Sequence, residues 1–537
     1  MKKLLLGDEA IAQGAIDAGL SGMYAYPGTP STEIMEYIQH SKLANERNIH
    51  RTWSSNEKTA MEGALGMSYS GKRAMVAMKH VGLNVAADAF VNSAITGVNG
   101  GIVVVVADDP SMHSSQNEQD SRYYGKFAQI QILEPANQQE AYDAIIYAFD
   151  MSEKYKEPVL VRITTRLAHS RAGVSLIDTP REQNKLSLPA NPTQFVLLPS
   201  IAKVQYHELL KKSTAFIEES ENSKFNFYTD GEDKTLGIIA SGIGYNYYME
   251  NFENMPSPHP VLKISQYPMP KSKVEKIVNE CNEILIIEDG YPFIEEQIKG
   301  YLTNNKIHGR LDGTLPRDGE LNPNIVAAAL QGKKFEKLMP PEVVKPRMPA
   351  MCVGCGHIDA YNALNEALKD FEKGHVFADI GCYTLGAYEP FNAINSCVDM
   401  GASITMAKGA ADAGLYPSVA VIGDSTFTHS GITALIDAVV DKSNIVVVIS
   451  DNFTTGMTGQ QNSNALGRIE DICKGVGVKE EHIRIFVPIA KNHDEMVKII
   501  KEELEYDGVS VVIPRRQCVR TLKNRALNAE IKELGLV

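Results

Sequence analysis

Residues 423–452 read GDSTFTHSGITALIDAVVDKSNIVVVISDN. Just before them, Val419–Ile422 (VAVI) is a run of apolar β-formers, which predicts a short buried strand ending at Gly423. A residue without Cβ at that point lets a backbone come close to a phosphate. Thr433–Val440 reads as the following helix, and Asn444–Ser450 (NIVVVIS) as the next parallel strand, closed by Asp451 and Asn452. Two adjacent strands then present the Asp424 carboxylate and the Asn452 amide oxygen at one rim of an open α/β sheet, where such sheets bind ligands. Magnesium suits that arrangement, because it takes a few protein oxygens and completes its octahedron with diphosphate oxygens and water. A lone Gly-Asp-Ser is common in unrelated loops. Its pairing with Asp-Asn after 25 residues makes a metal and a diphosphate the better reading.

The same alternation of strand and helix patterns runs through the rest of the chain. Helical patterns at Ala10–Ala18 and Glu57–Tyr69 alternate with β-rich runs at Gly22–Tyr26, Arg73–Lys79 and Ile102–Ala107, which implies a parallel sheet covered on both faces over residues 1–185. A polar stretch, TPREQNKLSLPANP (179–192), breaks the pattern. A second unit is expected over 194–335, with strands at Thr235–Ala240 and Glu283–Ile287. The proline-rich LMPPEVVKPRMP (338–349) marks a linker, 336–350, before a third α/β unit over 351–537. The first and third units read as one architecture used twice.

Bulk properties narrow the class. A chain of 537 residues is too long for one core and suggests about three or four domains. Apolar content of 44% with 22% charged residues is ordinary for globular protein, and the net charge of −13 argues against nucleic acid or anionic membrane as partners. No segment approaches the roughly 18 apolar residues of a membrane span. MKKLLLGDEA lacks the apolar core of a signal peptide, so a cytoplasmic location is expected. Seven cysteines, at 281, 352, 355, 382, 397, 473 and 518, do not make a dense disulfide framework.

The GDS–DN pair resembles the metal–diphosphate motif of thiamine diphosphate enzymes, GDG followed after about 25 residues by NN, with Ser425 and Asp451 as variants. The resemblance implies Mg2+ held by Asp424, Asn452 and the backbone carbonyl of Thr454. In such enzymes a second domain grips the cofactor's aminopyrimidine, usually across a dimer interface, and supplies a carboxylate to its N1′ atom. A partly buried carboxyl of raised pKa can share a proton there. Glu57, in WSSNEKTA at the start of a small-residue helix, fits that role; a charge favoured by the helix dipole is the plainer alternative. Glu62 is the fallback. Three stretches at carboxyl ends of strands read as a pocket wall: YAYPGTPST (24–32) with Tyr26, Pro27, Gly28 and Thr29, MKHVGLN (78–84) and ADDPSMHSSQN (107–117). His80 is the acid–base or substrate-orienting candidate, although a single histidine is more often structural.

YPGTPSTE, WSSNEK, MKHVGLNVAAD, ADDPSMHSSQNEQDSR, DIGCYTLG and MGASI together resemble the alpha subunits of indolepyruvate ferredoxin oxidoreductases, within the thiamine diphosphate-dependent 2-oxoacid:ferredoxin oxidoreductases, over nearly the whole chain. The fold this implies is α/β, with two thiamine diphosphate-binding-type parallel-sheet domains (1–185 and 351–537) flanking a smaller transketolase C-terminal-like domain (194–335). The implied activity is oxidative decarboxylation of an aryl 2-oxoacid with coenzyme A, giving acyl-CoA, carbon dioxide and reduced ferredoxin. The implied partners are a small second subunit and ferredoxin, around a homodimer of this chain in a hetero-oligomer. Gly401, Ala402, Ser403, Gly423 and Ser425 are then expected at the diphosphate, with His357, Gly381 and Cys382 near the cofactor.

Electrons must leave singly, which calls for a cluster. Family members typically carry a C-terminal ferredoxin-like domain with repeated Cys-x-x-Cys, and no such run follows Cys518 in this sequence, which ends in RTLKNRALNAEIKELGLV, a short amphipathic helix pattern. Other members of the superfamily bind one cluster through a CxGC, a GIGC-like cysteine and a C-terminal PCV-like cysteine. Cys352, Cys355, Cys382 (at the end of a strand in DIGCY) and Cys518 (in VVIPRRQC) correspond, as four thiolates for one 4Fe–4S cluster. Cys397 is an alternative fourth ligand; zinc, or four separately buried thiols, are the rival readings. A non-oxidative thiamine diphosphate-dependent 2-oxoacid decarboxylase is the alternative function. An idle scaffold would predict damage at Glu57, Asp424 or Asn452, and all three are intact.

Overall fold

The apolar runs become central strands. The computed structural model describes residues 2–252, 255–300, 304–335, 339–345, 347–371 and 375–536. The chain divides into two units, Met1–Met339 and Pro340–Val537. Of the expected linker, residues 336–338 and 346 lie outside the described residues; 339–345 and 347–350 form neither helix nor strand. Val537, at the end of the expected third domain, also lies outside them.

In the first unit, seven strands lie side by side in the order Gln266–Tyr267, Ile132–Leu133, Val159–Thr164, Ile102–Asp108, Ala74–Lys79, Gly22–Ala25, His50–Trp53. All pairs are parallel except the first. Ile102–Asp108 and Val159–Thr164 are buried along their whole length, as expected of strands covered on both faces. A second sheet in the same unit has the order Ile307–His308, Glu283–Ile287, Leu236–Ser241, Val261–Ile264, Phe227–Thr229, with only the last pairing antiparallel. Gln266–Tyr267 directly follows a strand of this second sheet, yet pairs with Ile132–Leu133 of the first. The two sheets are therefore stitched together by main-chain hydrogen bonds. Beside the stitch lies a buried charge network. Arg162 donates to Asp108 at 2.7 Å and also to Glu134, while Arg122 pairs with Asp120 and, at 3.0 Å, with Glu288. Every one of these side chains is almost fully buried.

In the second unit, six strands, all parallel, follow the order Ser396–Cys397, His375–Ala378, Ser418–Gly423, Ile445–Ser450, Val509–Pro514, Ile483–Phe486. With strands counted along each stretch of chain, and Gln266–Tyr267 set aside, both parallel sheets have the order 2-1-3-4-6-5. The strand order reverses between strands 1 and 3 in both, which opens a crevice at their carboxyl ends. In the first unit that crevice follows Ala25 and Lys79; in the second it follows Ala378 and Gly423.

Two local expectations are corrected. The helix expected from Thr433 begins at Asp424, as Asp424–Thr426, a wider turn Phe427–Gly431, and Ile432–Val440 in unbroken succession. Gly423, extended at φ −84°, ψ 159°, ends the strand and starts the helix in one step, and the Asp424 carboxylate is favoured in a first helical turn. Cys382 does not end a strand. His375–Ala378 stops earlier, and Cys382 opens the tight turn Cys382–Ala387.

Candidate active site

The carboxyl ends of Ser418–Gly423 and Ile445–Ser450 bring together two acidic groups in the second unit. Asp424 is 2% exposed; its Oδ1 accepts from the Ser425 amide at 2.7 Å, and its Oδ2 is buried without a hydrogen-bond partner. Burial, then the neighbouring Asp451, pushes the Asp424 carboxyl well above the ordinary carboxylate range. Burial also drives Asp451 up, to about 6, although Arg515 Nε donates to its Oδ2 at 2.7 Å. Arg515 is itself held by Glu470 through two contacts of 2.8 and 2.7 Å. Arg515 reaches Asp451 and Glu470 and, among the described residues, makes no ion pair with Asp424, so positive charge is short at this rim and the Asp424 Oδ2 marks where a cation is wanted. A divalent ion fits these residues.

The loop that completes the rim is tightly built. Asn452 Oδ1 accepts from the Thr454 amide at 3.1 Å, and Thr454 Oγ1 donates to the Gln461 carbonyl at 2.8 Å. Between them Phe453 adopts φ +69°, a left-handed conformation unusual for a residue with a side chain. The Phe453 ring is fully buried with Leu466, Leu527 and Ile531, so the C-terminal helix Arg525–Glu533 holds this conformation in place with its apolar face. Ser425 Oγ meets Thr455 Oγ1 at 2.8 Å and closes the strand-end loop.

Opposite, the segment after His375–Ala378 supplies a residue that the motif reading passed over. Asp379 is fully buried, accepts from Ser403 Oγ at 2.7 Å, and receives a very short hydrogen bond from the Tyr383 hydroxyl. Burial raises its carboxyl to about 7. It thereby fixes the start of the helix Ala402–Asp412, where Gly401 turns the chain at φ +96°. The Tyr383 ring wedges between two glycines: a Cβ on Gly381 would lie 2.3 Å from its Cε1, and one on Gly423 2.6 Å. Gly423, expected at the diphosphate, and Gly381, expected near the cofactor, thus both make room for this ring. A buried charged residue directly after a strand was the available signal for Asp379, and its partner Ser403 was visible only in MGASI.

Next to this rim lies a cavity of about 300 Å³. Cys352, Cys355, Cys382 and Cys518 line it together with His357, Asn452 and Gly456. Burial raises the Cys382 thiol to about 11, with Cys518, Cys355 and Cys352 adding to the effect, and Cys355 is likewise raised. Cys355 Sγ lies 3.3 Å from His357 Nδ1, and burial lowers that imidazole to about 4, so it stays neutral. Cys397 is not among the lining residues; its thiol faces Thr384. Among the described residues no three of these sulfurs lie within 4.8 Å of one another. Thiolates on one tetrahedral zinc lie about 3.8 Å apart, whereas a cubane spreads its four ligands more widely.

In the first unit Glu57 is 6% exposed in the first turn of Glu57–Tyr69, whose N-cap Asn56 accepts from the Thr59 amide at 2.8 Å. Gly82, in the first turn of the helix His80–Thr96, lets it in: a Cβ there would lie 2.6 Å from Glu57 Oε1. Glu62 is exposed and pairs with Lys58. His80 is 1% exposed, with Nε2 at 3.2 Å from the Asn117 carbonyl and Nδ1 without a partner; burial lowers its pKa. The loop after Gly22–Ala25 is pinned by Thr32 Oγ1, which accepts from the Gly28 amide at 3.1 Å, and by Ser31, whose hydroxyl donates to the Gly28 carbonyl at 2.8 Å. Lys79 covers Gly28 with its stem and donates to the Ser114 carbonyl at 2.9 Å, and so joins all three expected wall segments.

The family described as "Pyruvate flavodoxin/ferredoxin oxidoreductase, thiamine diP-bdg" matches residues 13–214, and "Thiamine pyrophosphate enzyme, C-terminal TPP binding domain" matches 379–513. The indolepyruvate oxidoreductase subunit IorA of Archaeoglobus fulgidus is 38% identical over 99% of this chain and 88% of its own length. The same subunit of Pyrococcus horikoshii is 37% identical over 96% of this chain and 86% of its own. A solved 2-oxoglutarate:ferredoxin oxidoreductase from Magnetococcus marinus overlaps 62% of this chain and 65% of that one at 16% identity and a TM-score of 0.49.

Proposed function

This chain belongs to the thiamine diphosphate-dependent 2-oxoacid:ferredoxin oxidoreductases, with the indolepyruvate oxidoreductase IorA subunits, and from that membership we propose an aryl 2-oxoacid of the indolepyruvate kind as its substrate. Coenzyme A accepts the acyl group and ferredoxin the electrons, in the cytoplasm, with a small second subunit around a homodimer of this chain. Thiamine diphosphate, when bound, supplies the nucleophilic carbon and the electron sink for decarboxylation. Asp424, Asn452 and the Thr454 carbonyl hold Mg2+; Gly401, Ala402, Ser403, Gly423 and Ser425 cradle the diphosphate. Glu57 would share its carboxyl proton with the aminopyrimidine N1′, His80 and the Tyr26–Thr29 loop wall the pocket, and Gly381 and His357 flank the cofactor.

The observation that carries the oxidative reading is the shared cavity: Cys352, Cys355, Cys382 and Cys518 open onto the space that Asn452, a metal ligand in this reading, also lines. A 4Fe–4S cluster held there sits next to the diphosphate rim. Cys352 is exposed, which gives electrons a route outward. Anaerobic purification followed by iron and sulfide analysis tests this. The expected result is about four irons per chain, lost in Cys352→Ser and in Cys518→Ser. Iron-free protein that releases aldehyde from an arylpyruvate would overturn the oxidative reading in favour of a simple decarboxylase.

A further inference from the structure

In the first unit, the N-terminal ladder brings three potential ligands to one point. Lys2–Leu6 pairs antiparallel with Arg171–Ser175, and the last register pair is Leu6 with Arg171. Two residues beyond that pair on either strand stand Asp8, in the first turn of Gly7–Asp17, and His169, at the end of Thr165–His169. Glu33 reaches them from the first turn of Thr32–His40. One donor atom from each of the three lies within 4.8 Å of the other two.

Asp8 is the anomaly. Its side chain is completely buried and faces another carboxyl, that of Glu33, and neither of its carboxylate oxygens finds an N–H or hydroxyl donor. Glu33 Oε2 is likewise without one, and lies 3.5 Å from His169 Nε2. That separation is long for a charge-assisted hydrogen bond but matches the distance of about 3.4 Å between two donors on one tetrahedral ion. The neighbouring Glu9 is already engaged, accepting from the Leu6 amide at 2.8 Å. His169 keeps 35% of its side chain exposed, which leaves an entry path.

We propose that Asp8, Glu33 and His169 form a second cation site that takes one divalent ion of intermediate softness, of the zinc class, with two carboxylate oxygens, one imidazole nitrogen and an open position for water. Two oxygens and one nitrogen suit such an ion better than magnesium, whose shell is usually all oxygen. The site lies immediately after the loop Tyr26–Thr32, so the ion ties that loop to the N-terminal ladder.

The test is titration of cobalt(II) into the full chain after chelator treatment, with magnesium in large excess to fill the Asp424 site. One equivalent should give visible d–d absorption without the thiolate charge-transfer bands that binding at the cysteine cavity would add, and should raise the melting temperature by a few degrees. Asp8→Asn and, on the exposed side, His169→Gln should each weaken binding at least ~10-fold while circular dichroism stays unchanged. The His169 variant keeps the test decisive should the buried substitution fail to fold. Absence of the band in the wild type, or its persistence in His169→Gln, would overturn the proposal and leave Asp8 a protonated acid facing Glu33.

Discussion

The two parallel sheets share a strand order but differ in how they treat the same junction. At the end of strand 3 the first sheet passes from Lys79 to His80, and the second from Gly423 to Asp424. Both His80 and Asp424 are first in their helices, both are buried, and each has one polar atom without a partner. At the end of strand 4 the two sheets agree again. Asp108 and Asp451 each accept from an arginine Nε, of Arg162 and Arg515, at 2.7 Å. A histidine can answer burial by staying neutral; an aspartate between another carboxylate and a glycine turn cannot do so without a proton or a cation. At this junction the first sheet therefore leaves no charge without an answer, and the second is built to be completed from outside.

Removing that requirement gives the largest expected effect. Asp424→Asn should abolish magnesium-dependent binding of thiamine diphosphate and lower turnover by ~10³-fold or more, read by calorimetric titration and steady-state assay. Binding at wild-type strength would erase the contrast between the two junctions. A smaller effect, centred on the first unit, is expected from Gly82→Ala, whose new methyl would displace the Glu57 carboxylate. Activity should fall ~10²-fold, close to the loss in Glu57→Gln, with little change in melting temperature. If Gly82→Ala unfolds the protein instead, the glycine serves packing and not the carboxylate. The smallest effect concerns His80. Its folded pKa is depressed, so the stability it contributes is present above its unfolded value of about 6.5 and is lost as pH falls through the folded value. Melting curves of His80→Gln should therefore differ less between pH 7.5 and 5.5 than those of the wild type. An unchanged difference would mean that His80 does not report the burial described for it.

What was legible in the sequence follows from range. Val419–Asn452 could be read because strand, turn and helix are local and the ligand residues lie at strand ends. The helix start at Asp424 was missed because Thr426–Gly431 (TFTHSG) is weak helix sequence, held by its place after the strand. Asp379, Tyr383 and Arg515 were not singled out, since their importance comes from partners at Ser403, Gly423 and Asp451, and no periodicity signals such pairings. Gln266–Tyr267 is too short to show an alternating pattern at all. Cys397 could be separated from the other cysteines only by where its thiol points.

The two-residue stitch also has a consequence for synthesis. The edge at Ile132–Leu133 is covered by a segment that leaves the ribosome more than a hundred residues later. At about 5–20 residues per second the nascent sheet carries an open edge for on the order of ten seconds. During that interval its unpaired backbone groups are exposed to neighbouring chains on the same message. This exposure falls during translation, before the second of its two similar sheets exists.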